Sequence, residues 1–100
     1  MRAYKDGKYT VHEWHTGDKY WYYNDRTHRE DDLPAVERSD GDRAWFIYNK
    51  HHRIGGPAKI YKDGNVEWFL DDTEYTERGY WSELYKRKLL TKEQVLSKLI

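Results

Sequence analysis

Cysteine is absent from the chain, so neither a disulfide frame nor a thiolate metal site is open to it. Aliphatic residues are scarce: Leu, Ile, Val and Phe together make 17 of 100 positions, and the mean hydropathy is −1.22. No apolar run is long enough to span a bilayer or to form the hydrophobic region of a signal peptide, which makes the cytoplasm the expected location. An excess of one charge is missing too. Lys and Arg number 18, and Asp and Glu also number 18, which removes the main electrostatic argument for binding double-stranded DNA. Low hydropathy with a high net charge would predict disorder. Here the net charge is zero and rings replace aliphatics, with five Trp and ten Tyr. Large rings bury much area per residue, so a core can be built from few of them. One hundred residues predict a single domain, 1–100.

The chain repeats itself. Trp21-Tyr22-Tyr23-Asn24, His28-Arg29, Pro34-Ala35, Asp40-Gly41 and Trp45 recur as Trp45-Phe46-Ile47-Tyr48, His52-Arg53, Pro57-Ala58, Asp63-Gly64 and Trp68. Trp to His is seven residues in both copies and Gly to Trp is four in both. A single residue differs, in the loop between His-Arg and Pro-Ala. Gly17-x3-Trp21 ends an earlier partial copy and Trp68-Phe69-Leu70-Asp71 begins a later one. Self-similarity at a fixed period predicts stacked supersecondary units.

Each unit reads as a hairpin. Asp6-Gly7, Thr16-Gly17, Asp40-Gly41 and Asp63-Gly64 lie between β-prone runs, the signal for a two-residue type I′ turn. Placing each pair at the turn centre sets His12 opposite Trp21, Val36 opposite Trp45 and Lys59 opposite Trp68. It also predicts strands near 2–5, 8–15, 18–25, 35–39, 42–48, 58–62 and 65–70, with 26–34 and 49–57 as connecting segments. Beyond Leu70 the pattern changes. Ser82 to Leu90 has helical spacing, and Thr91-Lys92-Glu93-Gln94 is a capping box opening a last helix with Val95, Leu96, Leu99 and Ile100 as its apolar residues. The expected fold is mainly β (α+β): a meander of about seven antiparallel strands from tandem hairpin repeats over 2–70. One or two C-terminal helices within 78–100 cap it, as a terminal repeat requires.

The consecutive hairpins with a Gly-x3-Trp-aromatic core resemble MORN-type repeats. The fuller pattern His28-Arg29…Pro34-Ala35…Gly41…Trp45, repeated as His52-Arg53…Pro57-Ala58…Gly64…Trp68, is similar to repeats of small bacteriophage proteins. That resemblance covers residues 11–75. It implies a hairpin sheet and a phage accessory setting in a host cytoplasm, and it brings no catalytic residues. Locally, Gly17-Asp18-Lys19-Tyr20-Trp21-Tyr22-Tyr23 also resembles the core of choline-binding cell-wall repeats, which implies a choline or carbohydrate-binding module.

No enzyme chemistry is legible. Ser occurs at 39, 82 and 97 without a nucleophile-elbow or phosphate-loop pattern. Glu30-Asp31-Asp32 and Asp71-Asp72 read as solvated loop charges. His12 and His15, three apart on a strand, point to opposite faces, as do the adjacent His51 and His52, so no metal or other cofactor is expected. The His-Arg pairs could meet a phosphate or carboxylate. Residues recurring at matched repeat positions are more often scaffold, bonding the loop backbone.

The aromatic rows carry the binding argument. Trp21, Trp45 and Trp68 share one face with Tyr23, Ile47 and Leu70, while Tyr22, Phe46 and Phe69 take the other. With rings on both faces, the helices are expected to cover one and a partner the other. The reading is a non-enzymatic binding protein, with Trp21, Tyr23, Trp45, Trp68, Arg38, Arg43, Lys59, His52 and Arg53 as candidate binding residues. Its expected partner is a host protein or a second copy in a homodimer. Single-stranded RNA, stacked on the rings between the cations, is the alternative. The other reading of the Trp row is that it is core.

Overall fold

A computed structural model describes residues 1–99, without the side chain of Leu99. The strands are β1 (Arg2–Asp6), β2 (Tyr9–Glu13), β3 (Lys19–Tyr23), β4 (Arg26–Thr27), β5 (Val36–Glu37), β6 (Arg43–Ala44), β7 (Phe46–Ile47), β8 (Lys50–His51), β9 (Lys59–Ile60), β10 (Val66–Leu70) and β11 (Thr73–Tyr75). Two helices follow, α1 (Glu77–Lys86) and α2 (Lys92–Leu99). The main sheet is antiparallel in the order β1-β2-β3-β5-β6-β9-β10-β11, with β4 paired to β3, and β7-β8 form a separate ribbon. The expected mainly β meander with a helical C-terminus is therefore the observed architecture, cut into shorter strands than the pattern implied.

The Gly turns differ from expectation by one residue. In each of the three repeated hairpins the Gly is the third residue of a three-residue loop. Gly17 N–H donates to Trp14 C=O, Gly41 to Arg38 and Gly64 to Tyr61, at 2.9, 3.1 and 2.9 Å. Trp14, Arg38 and Tyr61 in turn donate to Asp18, Asp42 and Asn65. This is a type I turn closed by a bulge whose Gly sits at positive φ, here 98°, 110° and 92°. The added residue slips the register. Val11, not His12, faces Trp21, and the Trp45 and Trp68 strands shift in the same sense, with Val36 opposite Ala44 and Lys59 opposite Glu67. A one-residue slip exchanges which neighbours share a face, so the predicted pairings do not hold. The N-terminal hairpin also departs: Asp6 pairs with Tyr9, leaving Gly7-Lys8 as the turn.

Two-residue turns with both residues at positive φ do occur, but at Asn24-Asp25, Tyr48-Asn49 and Asp71-Asp72. Asn24-Asp25 falls at the end of the predicted strand 18–25, Tyr48-Asn49 across the junction of 42–48 with the segment 49–57, and Asp71-Asp72 just beyond the predicted strand 65–70. Asn and Asp tolerate the left-handed region better than other non-glycine residues, because their short polar side chains can bond locally. Each such turn folds the chain back after its Trp strand, and neighbouring units are stitched there. Thr27 N–H donates to Asn49 Oδ1 at 2.7 Å, and His51 N–H donates to Asp72 Oδ1 at 2.6 Å.

The slipped register creates one continuous row across the sheet. Tyr4 faces Val11, Val11 faces Trp21, and Trp68 faces Tyr75. Between them the ladder continues through Ala35, Trp45 and Ala58: Trp21 N–H donates to Ala35 C=O and Trp45 N–H to Ala58 C=O. Small and large residues alternate, as close packing on a pleated face requires. Val11, Ala35 and Ala58 are fully buried, and Trp21 and Trp45 are 5% and 8% exposed.

At the C-terminal end α1 packs on this same face. Leu70, Tyr80, Trp81, Leu84 and Val95 form a cluster, with Trp68, Tyr75 and Leu90 at its border. Trp68 meets Tyr80 and Trp81 edge-on, with centroids 5.0 and 5.5 Å apart. Helix α1 begins at Glu77, five residues before the predicted Ser82, because Thr76 Oγ1 caps it by accepting the Gly79 N–H. The capping box of α2 is present as read: Gln94 N–H donates to Thr91 Oγ1 and Thr91 N–H to Gln94 Oε1. Of the residues expected to dock, Val95 is buried in the cluster with α1 and Leu96 is 49% exposed. The expectations for the side chains of Leu99 and Ile100 fall outside the described residues.

Candidate functional surface

The His-Arg pairs act as the lid of the Trp face. His28 Nδ1 accepts the N–H of Tyr48, and His52 Nδ1 accepts that of Asp71, both at 3.1 Å. Tyr48 and Asp71 are the first residues of the next unit's left-handed turn. Each histidine therefore braces its neighbour. Each arginine closes its own unit. The Arg29 guanidinium lies 3.8 Å from the Trp21 ring centroid and Arg53 lies 3.9 Å from Trp45. Both donate to the proline carbonyl of their loop, Pro34 and Pro57, at 3.1 Å. Arg29 also pairs with Glu37 at 3.0 Å and Arg53 with Asp32 at 2.8 Å. A planar cation on an indole face, anchored by a carboxylate, is a desolvated cation–π contact that a lysine would not reproduce.

This lid corrects two expectations. Over Trp21 and Trp45 the cover comes from the connecting segments of the same chain, and the helices supply it only near Trp68 and Leu70. Trp21 and Trp45 are thus core residues. Their indole N–H groups are also engaged, Trp21 with Asp6 Oδ2 at 3.2 Å and Trp45 with Asp32 C=O at 3.1 Å. Trp68 is half-buried against α1, and Tyr23 is half-buried 5.8 Å from the His28 ring. His52 and Arg53 are committed to the lid. Trp21, Trp45, His52 and Arg53 are thus engaged in the core and its lid, while Trp68 and Tyr23 keep part of their rings at the surface.

The uncovered aromatic row is the other one. Register and alternation place Tyr20, Tyr22, Val36, Ala44, Phe46, Lys59 and Phe69 on the face opposite the Trp row. The half-buried Phe46, His51 and Phe69 form a run of tilted rings, with centroids 4.1 and 5.0 Å apart, and His12 lies 4.7 Å from Tyr22. Between these rings lies a groove of about 290 Å³ lined by Tyr20, Val36, Phe46, His51, Lys59 and Tyr61, among others.

Its polar groups are largely paired. Arg38 reaches Tyr20 Oη at 3.4 Å, Lys59 is 3.9 Å from Glu67, and Tyr61 donates to Glu67 Oε1 at 2.7 Å. That last bond, to a carboxylate, holds the Tyr61 hydroxyl above its ordinary pKa. Burial, assisted by Lys59, lowers the His51 pKa against the opposing pull of Asp72. The groove therefore presents neutral imidazole and phenyl surface at neutral pH. Arg43 also borders the groove, and its guanidinium donates to the carbonyls of Arg38 and Asp42. Arg38, Arg43 and Lys59 thus all border the groove, each with a partner within the chain.

Among the described residues no three His, Asp or Glu side chains converge on a metal-sized site, and no helix is long and apolar enough to cross a membrane. No family model, curated protein or solved structure matches the chain. The fold and surface together define a class: an antiparallel hairpin sheet with one aromatic face largely covered by its own chain, one open aromatic face and a helical end.

The open row was half legible in the sequence. Doubled aromatics at 21–22, 45–46 and 68–69 announce two rows, one per face. The signal for which row is covered was the Arg eight residues after each of two Trp, which falls over that indole only once the left-handed turn has folded the chain back.

Proposed function

We propose that the chain is a non-enzymatic binding protein that engages a protein partner through the Tyr22–Phe46–Phe69 face. The observation that carries this reading is a half-buried run of tilted rings, Phe46–His51–Phe69, reaching an open groove on a sheet whose other face has Trp21 and Trp45 covered by its own chain. Rings at the centre of a patch with paired polar groups around them are the make-up of a protein interface. A single-stranded nucleic-acid surface calls for cations along the track of the backbone. Here Arg38 and Lys59 each have a side-chain partner, and the Arg43 guanidinium is bonded to carbonyls of its own hairpin loop. The similarity of the repeat to small bacteriophage proteins supports a host protein as that partner. The test is affinity capture from host lysate with the native chain and with the pair Phe46→Ser and Phe69→Ser. Partners held by the native chain, lost by the variant and indifferent to nuclease support the proposal. Capture abolished by nuclease and falling steeply with salt would assign the face to RNA instead.

A further inference from the structure

The edge strand β1 carries an inference independent of the open face. We propose that β1 pairs antiparallel with β1 of a second copy of this chain, about a twofold axis passing between the two Tyr4 residues.

Three observations converge. The first is hydrogen bonding. The two-residue turn Gly7-Lys8 makes Asp6 and Tyr9 the closing pair, and the ladder runs on through Lys5–Thr10, Tyr4–Val11, Ala3–His12 and Arg2–Glu13. Closing pairs of such hairpins exchange both bonds and alternate pairs do likewise, so Asp6, Tyr4 and Arg2 bond inward to β2. Ala3 and Lys5 then direct their N–H and C=O outward. Set antiparallel with Tyr4 opposite Tyr4, Ala3 of each copy faces Lys5 of the other, and every outward group on β1 between them finds a partner.

The second is charge. In that same register Arg2 of each copy faces Asp6 of the other, on the same side of the sheet as Tyr4. Both are exposed. Arg2 spends one Nη on Glu13 and Asp6 spends one oxygen on the Trp21 indole, leaving the remaining guanidinium nitrogens and Asp6 Oδ1 to meet across the axis. The edge is complementary to itself in one register, as an isologous contact requires.

The third is the aromatic row. Tyr4 occupies the position of a Trp in the row of small and large residues, on an outer edge where its only cover is the exposed Arg2 of its own strand, whose guanidinium lies 4.7 Å from the ring centroid, farther than Arg29 and Arg53 lie from their indoles. A ring opposite a ring at a non-hydrogen-bonded pair, where side chains approach most closely, continues the row through the axis. The opposite edge, β11, has three residues and leads directly into α1, so β1 is the strand built for pairing. Five residues a side make a small contact, of the reversible class.

Sedimentation equilibrium of the full chain at about 10 to 500 μM is the test. The expected result is a reversible monomer–dimer equilibrium. Lys5→Pro removes one outward N–H and leaves the inward ladder to β2 in place; it should weaken the dimer at least tenfold without changing the near-ultraviolet Trp spectrum. Arg2→Asp should weaken it similarly by setting Asp against Asp, and the exchange Arg2→Asp with Asp6→Arg should restore it. Because the chain has no cysteine, Tyr4→Cys supplies a single thiol on the axis, and mild oxidation should cross-link it much faster than Ala3→Cys. A monomer at 500 μM would overturn the proposal. So would a dimer indifferent to Lys5→Pro whose two cysteine variants cross-link equally. The Phe46 and Phe69 substitutions do not touch β1, so failure here leaves the partner-binding reading standing, and the reverse holds.

Discussion

Arg53 shows how a single residue can perform several jobs at once. Its guanidinium roofs Trp45, pairs with Asp32 and donates to the Pro57 carbonyl. It also explains Gly56: a Cβ there would lie 2.9 Å from two guanidinium atoms. Arg53→Ala should cost about 2 kcal/mol, from one desolvated cation–π contact and charge-assisted hydrogen bonds. Arg53→Lys should recover less than half of that, because an ammonium has no plane to stack; urea denaturation of both variants checks it. His28 makes a pH prediction. It is 2% exposed, its Nδ1 accepts the Tyr48 N–H, and its Nε2 has no hydrogen-bond partner. Burial, with Lys8 nearby, holds its pKa below the ordinary histidine value. The unfolded chain therefore binds the proton more readily than the native one. The contribution of His28 to stability is complete above about pH 6.5 and is lost as pH falls through the lower native pKa. Unfolding midpoints from pH 8 to 5 should decline, and His28→Gln, whose amide oxygen can accept the same N–H, should flatten the decline. An unchanged slope would assign it to other groups, His51 first.

At the scale of elements, the bulged Gly loops set the register of the sheet. Gly41 has φ of 110°, and a Cβ there would also meet Lys62 at 3.6 Å. Gly41→Val should destabilise by about 2 kcal/mol, the cost of holding a β-branched residue in left-handed backbone. Asp25→Gly is the contrast. It also sits at positive φ, 62°, in a two-residue turn where Gly is favoured, and should change stability by no more than about 0.5 kcal/mol. Guanidinium denaturation of the two single variants separates the turn types. The loops also hold one another: Ser39 N–H donates to Asp18 Oδ1 at 2.7 Å and Lys62 N–H to Asp42 Oδ1 at 2.8 Å. The first of these bonds holds the Asp18 carboxyl below its ordinary pKa. Asp18 and Asp42 occupy the same place in successive loops, so the repeat extends beyond the residues that first reveal it.

Across the whole molecule the decisive joint is Tyr80. From α1 its hydroxyl accepts the N–H of Gly55 at 2.8 Å and of Gly56 at 3.2 Å, and donates to the Arg53 carbonyl. One phenol thus ties the helical end to the lid of the second unit. Burial raises its pKa, so it remains a donor throughout the neutral range. Tyr80→Phe keeps the ring and its edge contacts with Trp68 and Trp81. It should nevertheless cost about 2 kcal/mol, because the buried Gly56 N–H, the Gly55 N–H and the Arg53 carbonyl all lose their partner. Amide exchange at Gly55 and Gly56 should accelerate more than at Val11. If only global stability fell, with no preferential exchange there, the joint would not be the local clamp that its geometry describes.

The sequence by itself determined the period, the antiparallel hairpins, the two aromatic rows and the capped last helix, since each rests on contacts within a few residues or on simple alternation. It could not determine the register. Asp-Gly and Thr-Gly are compatible with a two-residue turn and with a three-residue bulged loop, and that single residue decides whether His12 or Val11 faces Trp21. Nor could it determine which aromatic row is core. Trp21 and Trp45 are hidden because Asn24-Asp25 and Tyr48-Asn49 turn the chain back over them and set Arg29 and Arg53 upon the indoles. The open face is what remains after that closure. Burial is a property of what arrives from elsewhere in the chain, and only the tertiary structure decides what arrives.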